Sequence, residues 1–136
     1  MRLAVGTDES TAVTAGLRRL LVDQGHEVVD AGSDEPWPDV GRRVGGAVAD
    51  GRVDVGIVCC WTGTGVSIAA NKVPGVRAAL CIDAETARGA RRWNDANVLA
   101  LSLRLTTEAV AAEVVEAFLS SDVDPAETVT IARVER

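Results

Sequence analysis

The stretch Cys60-Trp61-Thr62-Gly63-Thr64-Gly65-Val66-Ser67-Ile68-Ala69-Ala70-Asn71-Lys72 brings together residue types that can move a proton. A thiol is a candidate base or nucleophile wherever positive potential favours its thiolate. Alternating glycines let the backbone turn sharply and bring its N–H groups up to a ligand. Convergent N–H groups at a helix start make a hole for an anion, either a phosphate or an enediolate oxygen. Two bland readings stand beside this. Buried cysteines on strands are usually small core residues, and the glycine pattern matches neither common nucleotide loop. Ile68 stands where a dinucleotide fingerprint needs its third glycine, and no Gly-Lys-Ser/Thr follows.

These residues must be held by their neighbours. Val53 to Cys59 is an apolar, β-branched run that reads as a buried strand, so the thiol sits where a strand ends. Because side chains alternate along a strand, adjacent Cys59 should face the other way, into the core. Cys81, within an apolar run from Val76 to Ile82, is also assigned to the core.

Arg2 to Thr7 reads as a first strand, with Asp8-Glu9-Ser10 in the loop beyond it. Asp8 and Glu9 could line a site or merely cap the next helix. Val13, Leu17, Leu20 and Leu21 recur at helical spacing, and Gly25 closes that helix. Glu27 to Ala31 reads as a second strand. Gly32 to Pro38 reads as a loop whose Trp37 lies between two prolines, and Asp39 as the cap of a helix carrying Val40, Val44, Ala47 and Val48. Pro74-Gly75 marks a turn. Val76 to Ile82 is the fourth strand, and Asp83 caps a helix to about Trp93. Asn94 to Asn97 is a polar loop in which Asn94 and Asp95 could be simple turn residues, and Val98 to Leu101 is the fifth strand. Thr106 or Thr107 starts a last long helix, and Asp124-Pro125-Ala126-Glu127 resembles a further helix start. Lys72 reads as the end of a short helix.

Strands alternating with helices five times imply one α/β domain over residues 1–136 with a five-stranded parallel sheet. Ligands of such sheets bind beyond the carboxyl ends of the strands. Asp8-Glu9 and the loops at Trp37, Cys60 and Asn94 are therefore expected to meet in one cleft.

Composition removes several function classes. A net charge of −6 and a single phenylalanine with no tyrosine argue against a nucleic-acid surface, which needs a basic face and stacking rings. No apolar stretch approaches the ~20 residues of a membrane span, and the first residues read as a strand rather than a leader. Three cysteines, two of them adjacent, suit a reducing cytoplasm better than a disulfide framework. A redox role for Cys59-Cys60 lacks the usual two-residue spacing. The one histidine, His26, reads as an edge residue.

Four segments occur in an order that is recognisable. They are Gly25-His26-Glu27-Val28-Val29-Asp30, Thr62-Gly63-Thr64-Gly65 with Ser67 to Lys72, Gly75 to Cys81, and Asn94-Asp95-Ala96-Asn97-Val98-Leu99-Ala100-Leu101. From Arg2 to about Leu119 the chain resembles the type B ribose-5-phosphate isomerases and the related galactose-6-phosphate isomerase subunits. The resemblance implies a three-layer, Rossmann-like α/β/α sandwich and a cofactor-free, metal-free aldose–ketose isomerase of small sugar phosphates. It also implies a homodimer, or dimer of dimers, whose sites are shared between subunits. Residues 123–136 would then pack on the partner.

In the resemblance, Cys60 matches the base that forms a cis-enediolate. Thr62 and the backbone of Gly63 and Gly65 match the groups that hold the oxyanion. The loop from Trp61 through Thr64 to Val66 lines the substrate. Asp8 matches a sugar-hydroxyl contact, Asn94 another polar contact, and Arg104 a phosphate ligand that could equally be a surface arginine. Trp37 stands where relatives often have a tyrosine.

The chain also departs from the family pattern. Glu9 and Trp93 replace histidines, Trp61 replaces a glycine, and only Arg133 and Arg136 remain near the C-terminus. An ionised Glu9 would repel a phosphate dianion, and Trp93 cannot open a sugar ring. The expected substrate is accordingly a sugar or sugar phosphate other than ribose 5-phosphate, a short one that needs no ring opening being one option. The competing reading is a non-catalytic, sugar-phosphate-binding subunit of a heteromer.

Overall fold

A computed structural model describes residues 1–135. Its elements are β1 (Arg2–Thr7), α1 (Ala12–Asp23), β2 (Glu27–Ser33), α2 (Trp37–Ala49), β3 (Val55–Cys60), α3 (Thr64–Asn71), β4 (Ala78–Leu80), α4 (Ala84–Asn94), β5 (Val98–Ser102) and α5 (Glu108–Ser120). Short helical turns follow at Pro125–Glu127, Thr128–Ile131 (α6) and Ala132–Glu135. The five strands are all parallel, in the order β2-β1-β3-β5-β4.

Alternation along the central strands sorts side chains into two cores. Val55, Ile57 and Cys59 face a cluster with Leu17 and Leu21 of α1, Ala87 of α4, and Val114 and Phe118 of α5. Val58 and Cys60 face the other cluster, with Val40 and Val44 of α2 and Val66 and Ala70 of α3. The result is a three-layer α/β/α sandwich. Strands buried on both faces need near-continuous apolar runs, which is what β3 and β5 supply.

Several boundaries differ from the sequence reading. The segment around Trp37 is not a loop: α2 starts at Trp37 with Pro36 as its flanking residue. Proline's fixed φ suits a first turn, so Pro36-Trp37-Pro38 begins the helix. Asp39 is thereby displaced from the cap into the first turn, where it pairs with Arg42 at 3.6 Å. β4 contracts to three half-buried residues at the sheet edge, and just before it the Arg77 side chain donates to Asp95 O and Asp95 Oδ2. Thr11, not Asp8 or Glu9, caps α1, in a reciprocal pair with Thr14. The tail folds back on its own chain, with Asp124 N donating to Arg92 O at 2.8 Å and Glu135 pairing with Arg77 at 3.0 Å. Arg136 lies outside the described residues.

Candidate active site

Connections leave β1 and β3, which are neighbours, toward opposite faces of the sheet: α1 joins one core and α3 the other. Such a divergence opens a crevice beyond the carboxyl ends of the two strands. Thr7 pairs with Cys59 in register, and Asp8 N donates to Cys59 O at 3.1 Å. Asp8 therefore stands beside the end of β3, where Cys60 is the last strand residue.

Cys60 packs on the α2/α3 side and is 5% exposed, at the rim of the core rather than sealed within it. Cys59, on the opposite face, is fully buried, and burial together with the neighbouring Cys60 thiol pushes it up to about 12. Cys81 is likewise raised, to about 11, by burial and then by the Asp83 carboxylate. Neither supplies a thiolate near neutral pH.

The chain then turns through Gly63, whose φ of +76° is the left-handed region that glycine enters freely. Gly63 flanks α3 and offers no side-chain cap. The first N–H groups of α3, those of Thr64, Gly65 and Val66, therefore have no helical partner, and they carry the positive end of the helix dipole. Val66 joins the site through its amide alone, since its side chain is buried in the core. The hydroxyls of Thr62 and Thr64 lie 2.8 Å apart above these amides. The Trp37 ring covers Gly65 so closely that a Cβ there would fall 2.9 Å from it. Beyond β5, Arg104 N donates to Trp61 O at 2.8 Å, which brings the exposed Arg104 side chain to the same edge.

Asp8 has a buried Oδ1 without a hydrogen-bond partner, and so has the nearly buried Thr106 Oγ1. Orphaned buried oxygens are rare. Thr106 was missed in the sequence, where it read only as a possible helix start, because orphaning shows itself only after folding. Desolvation, and then the adjacent Glu9 charge, raise the Asp8 carboxyl above its ordinary value. The sign follows. Between the unfolded and folded pKa values the native state holds more protons, so this group's contribution to stability falls as pH rises through that window. Asp8→Asn is expected to raise the thermal midpoint at pH 7 relative to wild type, with the gain vanishing at acid pH, while kcat/KM drops about tenfold. Thermal melts across pH, paired with isomerase assays, check both.

Trp93 and Asn94 are not brought to this crevice. A crossover helix runs antiparallel to its strands, so the C-terminus of α4 lies at the amino edge of the sheet, beside Arg77 and Asn97. The length of a strand, roughly 17 Å, separates that edge from Cys60. The residues expected in one cleft therefore lie, within the chain, at opposite ends of the sheet. Trp93, 53% exposed, and Asn94 line a groove of about 520 Å³ that runs along α4 to Leu80. His26 also sits at the amino edge, its Nδ1 3.3 Å from the Met1 amine. Among the described residues, no cluster of three His, Cys, Asp or Glu could hold a metal ion. No helix among the described residues is long and apolar enough to cross a membrane.

Comparison with known proteins places the chain in a family. Residues 3–136 match the family model described as Ribose/Galactose Isomerase. The chain is 44% identical over 105 residues to ribose-5-phosphate isomerase B of Escherichia coli, covering 74% of this chain and 70% of the relative. It is 34% identical over 128 residues to the D-erythrulose-4-phosphate isomerase of Pectobacterium atrosepticum, covering 90% and 84%. The structure of ribose-5-phosphate isomerase B from Clostridium thermocellum superposes with a TM-score of 0.94 at 36% identity, covering 99% of this chain and 95% of that one. A family model matching residues 3–136, relatives at these identities and the shared fold make the chain a sugar-phosphate isomerase belonging to the ribose/galactose isomerase family.

Proposed function

We propose that Cys60 is the base of an aldose–ketose isomerisation that passes through a cis-enediolate. The thiolate takes the proton from the sugar carbon next to the carbonyl, and the carbonyl oxygen becomes an oxyanion. The proton returns to the former carbonyl carbon as the hydroxyl hydrogen moves between the two oxygens, so nothing is gained or lost. A sugar α-proton is a weak acid, so the oxyanion must be held as the base acts. The observation that carries the reading is the adjacency of Cys60 to the uncapped amides at the start of α3. Thr62 adds a hydroxyl to that hole, Asp8 accepts from a sugar hydroxyl, and Arg104 meets the phosphate. Three free cysteines suit work in the cytoplasm.

With Trp93 and Asn94 at the far edge, a site that uses them together with Cys60 calls for a second copy of the chain. In a homodimer with shared sites, Trp93 and Asn94 of one subunit would face Cys60 of the other. The exposed Trp61, Ile68, Ile82 and Trp93 offer apolar surface for that contact.

The substrate we favour is a four-carbon sugar phosphate. An aldotetrose esterified at its terminal oxygen has no hydroxyl placed to close a five- or six-membered ring, so it stays open without help. The chain's one imidazole, His26, precedes β2, on the opposite side of the sheet from Trp93 and Asn94, with its Nδ1 3.3 Å from the Met1 amine, and the residues proposed for the site offer indoles instead. A D-erythrulose-4-phosphate isomerase among the relatives, at 34% identity, shows that this family includes an enzyme of a four-carbon sugar phosphate. Turnover on tetrose, pentose and hexose phosphates is expected to favour the tetrose at least tenfold in kcat/KM; a preference for ribose 5-phosphate would refute it. Co-expressed Cys60→Ala and Asn94→Ala chains test the sharing. Random pairing should restore about a quarter of wild-type activity, whereas unshared sites restore none beyond the sum of the two variants.

A further inference from the structure

We infer that Ser102 is a positioning residue for this isomerisation: its hydroxyl orients the Trp61–Thr62 peptide so that the Thr62 N–H is turned toward the crevice beside Cys60. The inference rests on the reading of Cys60 as the base.

Ser102 is the last residue of β5 and stands opposite Cys60 in the strand register. It is 1% exposed, and its hydroxyl is bonded on both sides: it donates to Trp61 O at 3.0 Å and accepts from Leu105 N at 3.2 Å. Arg104 N also donates to Trp61 O, at 2.8 Å, and Leu103 N to Cys60 O at 3.0 Å. Successive carbonyls of a regular strand point to opposite sides. Here the carbonyls of Cys60 and Trp61 both turn to the chain that leaves β5.

A planar trans peptide directs each following N–H the other way. The amides of Trp61 and Thr62 are thereby turned from β5 toward β1, the side on which Asp8 stands. Two successive N–H groups on one side of a turn form a concavity suited to an anion. The Leu103 and Arg104 bonds come from backbone and survive any substitution. The Ser102 bond depends on a side chain, so this is where sequence controls the tilt of the oxyanion-facing peptide. Ser102 touches no substrate in this arrangement and acts through Trp61 and Thr62.

The test compares Ser102→Ala, Ser102→Thr and Ser102→Val in the full chain, with Cys60→Ala alongside. Ser102→Ala should lower kcat about tenfold while KM for the sugar phosphate stays within about twofold, because the lost alignment matters most once the oxyanion forms. Affinity for a four-carbon phosphosugar hydroxamate, a planar mimic of the enediolate, should fall by the same factor. Affinity for inorganic phosphate should not change. Thr and Val have the same shape and differ by the hydroxyl, so rescue by Ser102→Thr with the full defect in Ser102→Val supports the inference even where alanine weakens folding. Equal rates in the Thr and Val variants would overturn it, as would kcat and phosphate affinity falling together. An inactive Cys60→Ala with an unimpaired Ser102→Ala removes only the role of Ser102, whereas an active Cys60→Ala removes the reading beneath it.

Discussion

Cys60→Ala is expected to lower kcat for isomerisation by about three orders of magnitude, and solvent-hydrogen exchange at the sugar C2 by the same factor. A positioned base contributes roughly 10²–10⁴ in rate, and no second thiol can substitute. Cys59 lies on the opposite face of the sheet and Cys81 is fully buried, both with pKa values pushed up by burial. Cys59→Ala should therefore keep kcat within a few-fold, with a modest loss of stability from the small void it leaves. Alkylation supplies a second readout: iodoacetamide should inactivate the native protein at one equivalent per chain, located at Cys60, and modify all three thiols only after unfolding. Retention of more than a tenth of wild-type kcat by Cys60→Ala would exclude the thiol as base.

Gly63→Ala is expected to destabilise the fold by about 2–4 kcal/mol and to leave the folded fraction nearly inactive. Two costs add. A residue other than glycine at φ +76° costs roughly 1–2 kcal/mol. The new Cβ would also fall 2.5 Å from Leu80 Cδ1 and 2.9 Å from the Leu101 carbonyl carbon. The leucine tip can rotate, but the backbone of β5 is pinned in mid-sheet, so the loop itself must move and carry the first amides of α3 with it. Gly75→Ala is the control. Its φ of +84° imposes the same backbone strain, but nothing lies within 4 Å of the added carbon, so it should cost about 1 kcal/mol and spare activity. Thermal midpoints and kcat for the two variants separate strain from displacement; equal activity in both would show that the amides at α3 do not hold the oxyanion.

The two residues that differ most between the sequence reading and the structure were obscured for distinct reasons. Around Trp37, two prolines and a glycine suggested a loop by composition. Proline, however, is as much a first-turn residue as a loop residue, and only the packing of Val40 and Val44 against β3 shows where α2 begins. Asn94 is expected beside Cys60 if its loop lies near the carboxyl ends of the strands. The direction of α4 sends it to the other edge of the sheet, so a site that needs both groups needs two chains. The fourth strand is shorter than its apolar run because only Ala78 to Leu80 pair with β5, while Arg77 bonds to Asp95 and Asn97 instead, and no apolar count records such pairing.

What could be read directly from the residues was whatever depends on neighbours in the chain. The strand and helix periods, the opposite facing of Cys59 and Cys60, the turn at Gly63, the caps at Asp83 and Thr107 and the family's ordered motifs are all of this kind. What required the folded chain was every relation set by strand register and element direction. Ser102 meets Trp61 across a gap of 41 residues, Asp8 and Thr106 are left with orphaned oxygens, and Asn94 is carried to the far edge. The reason is physical: local periodicity decides which face a side chain takes, but pairing between distant strands decides which faces meet.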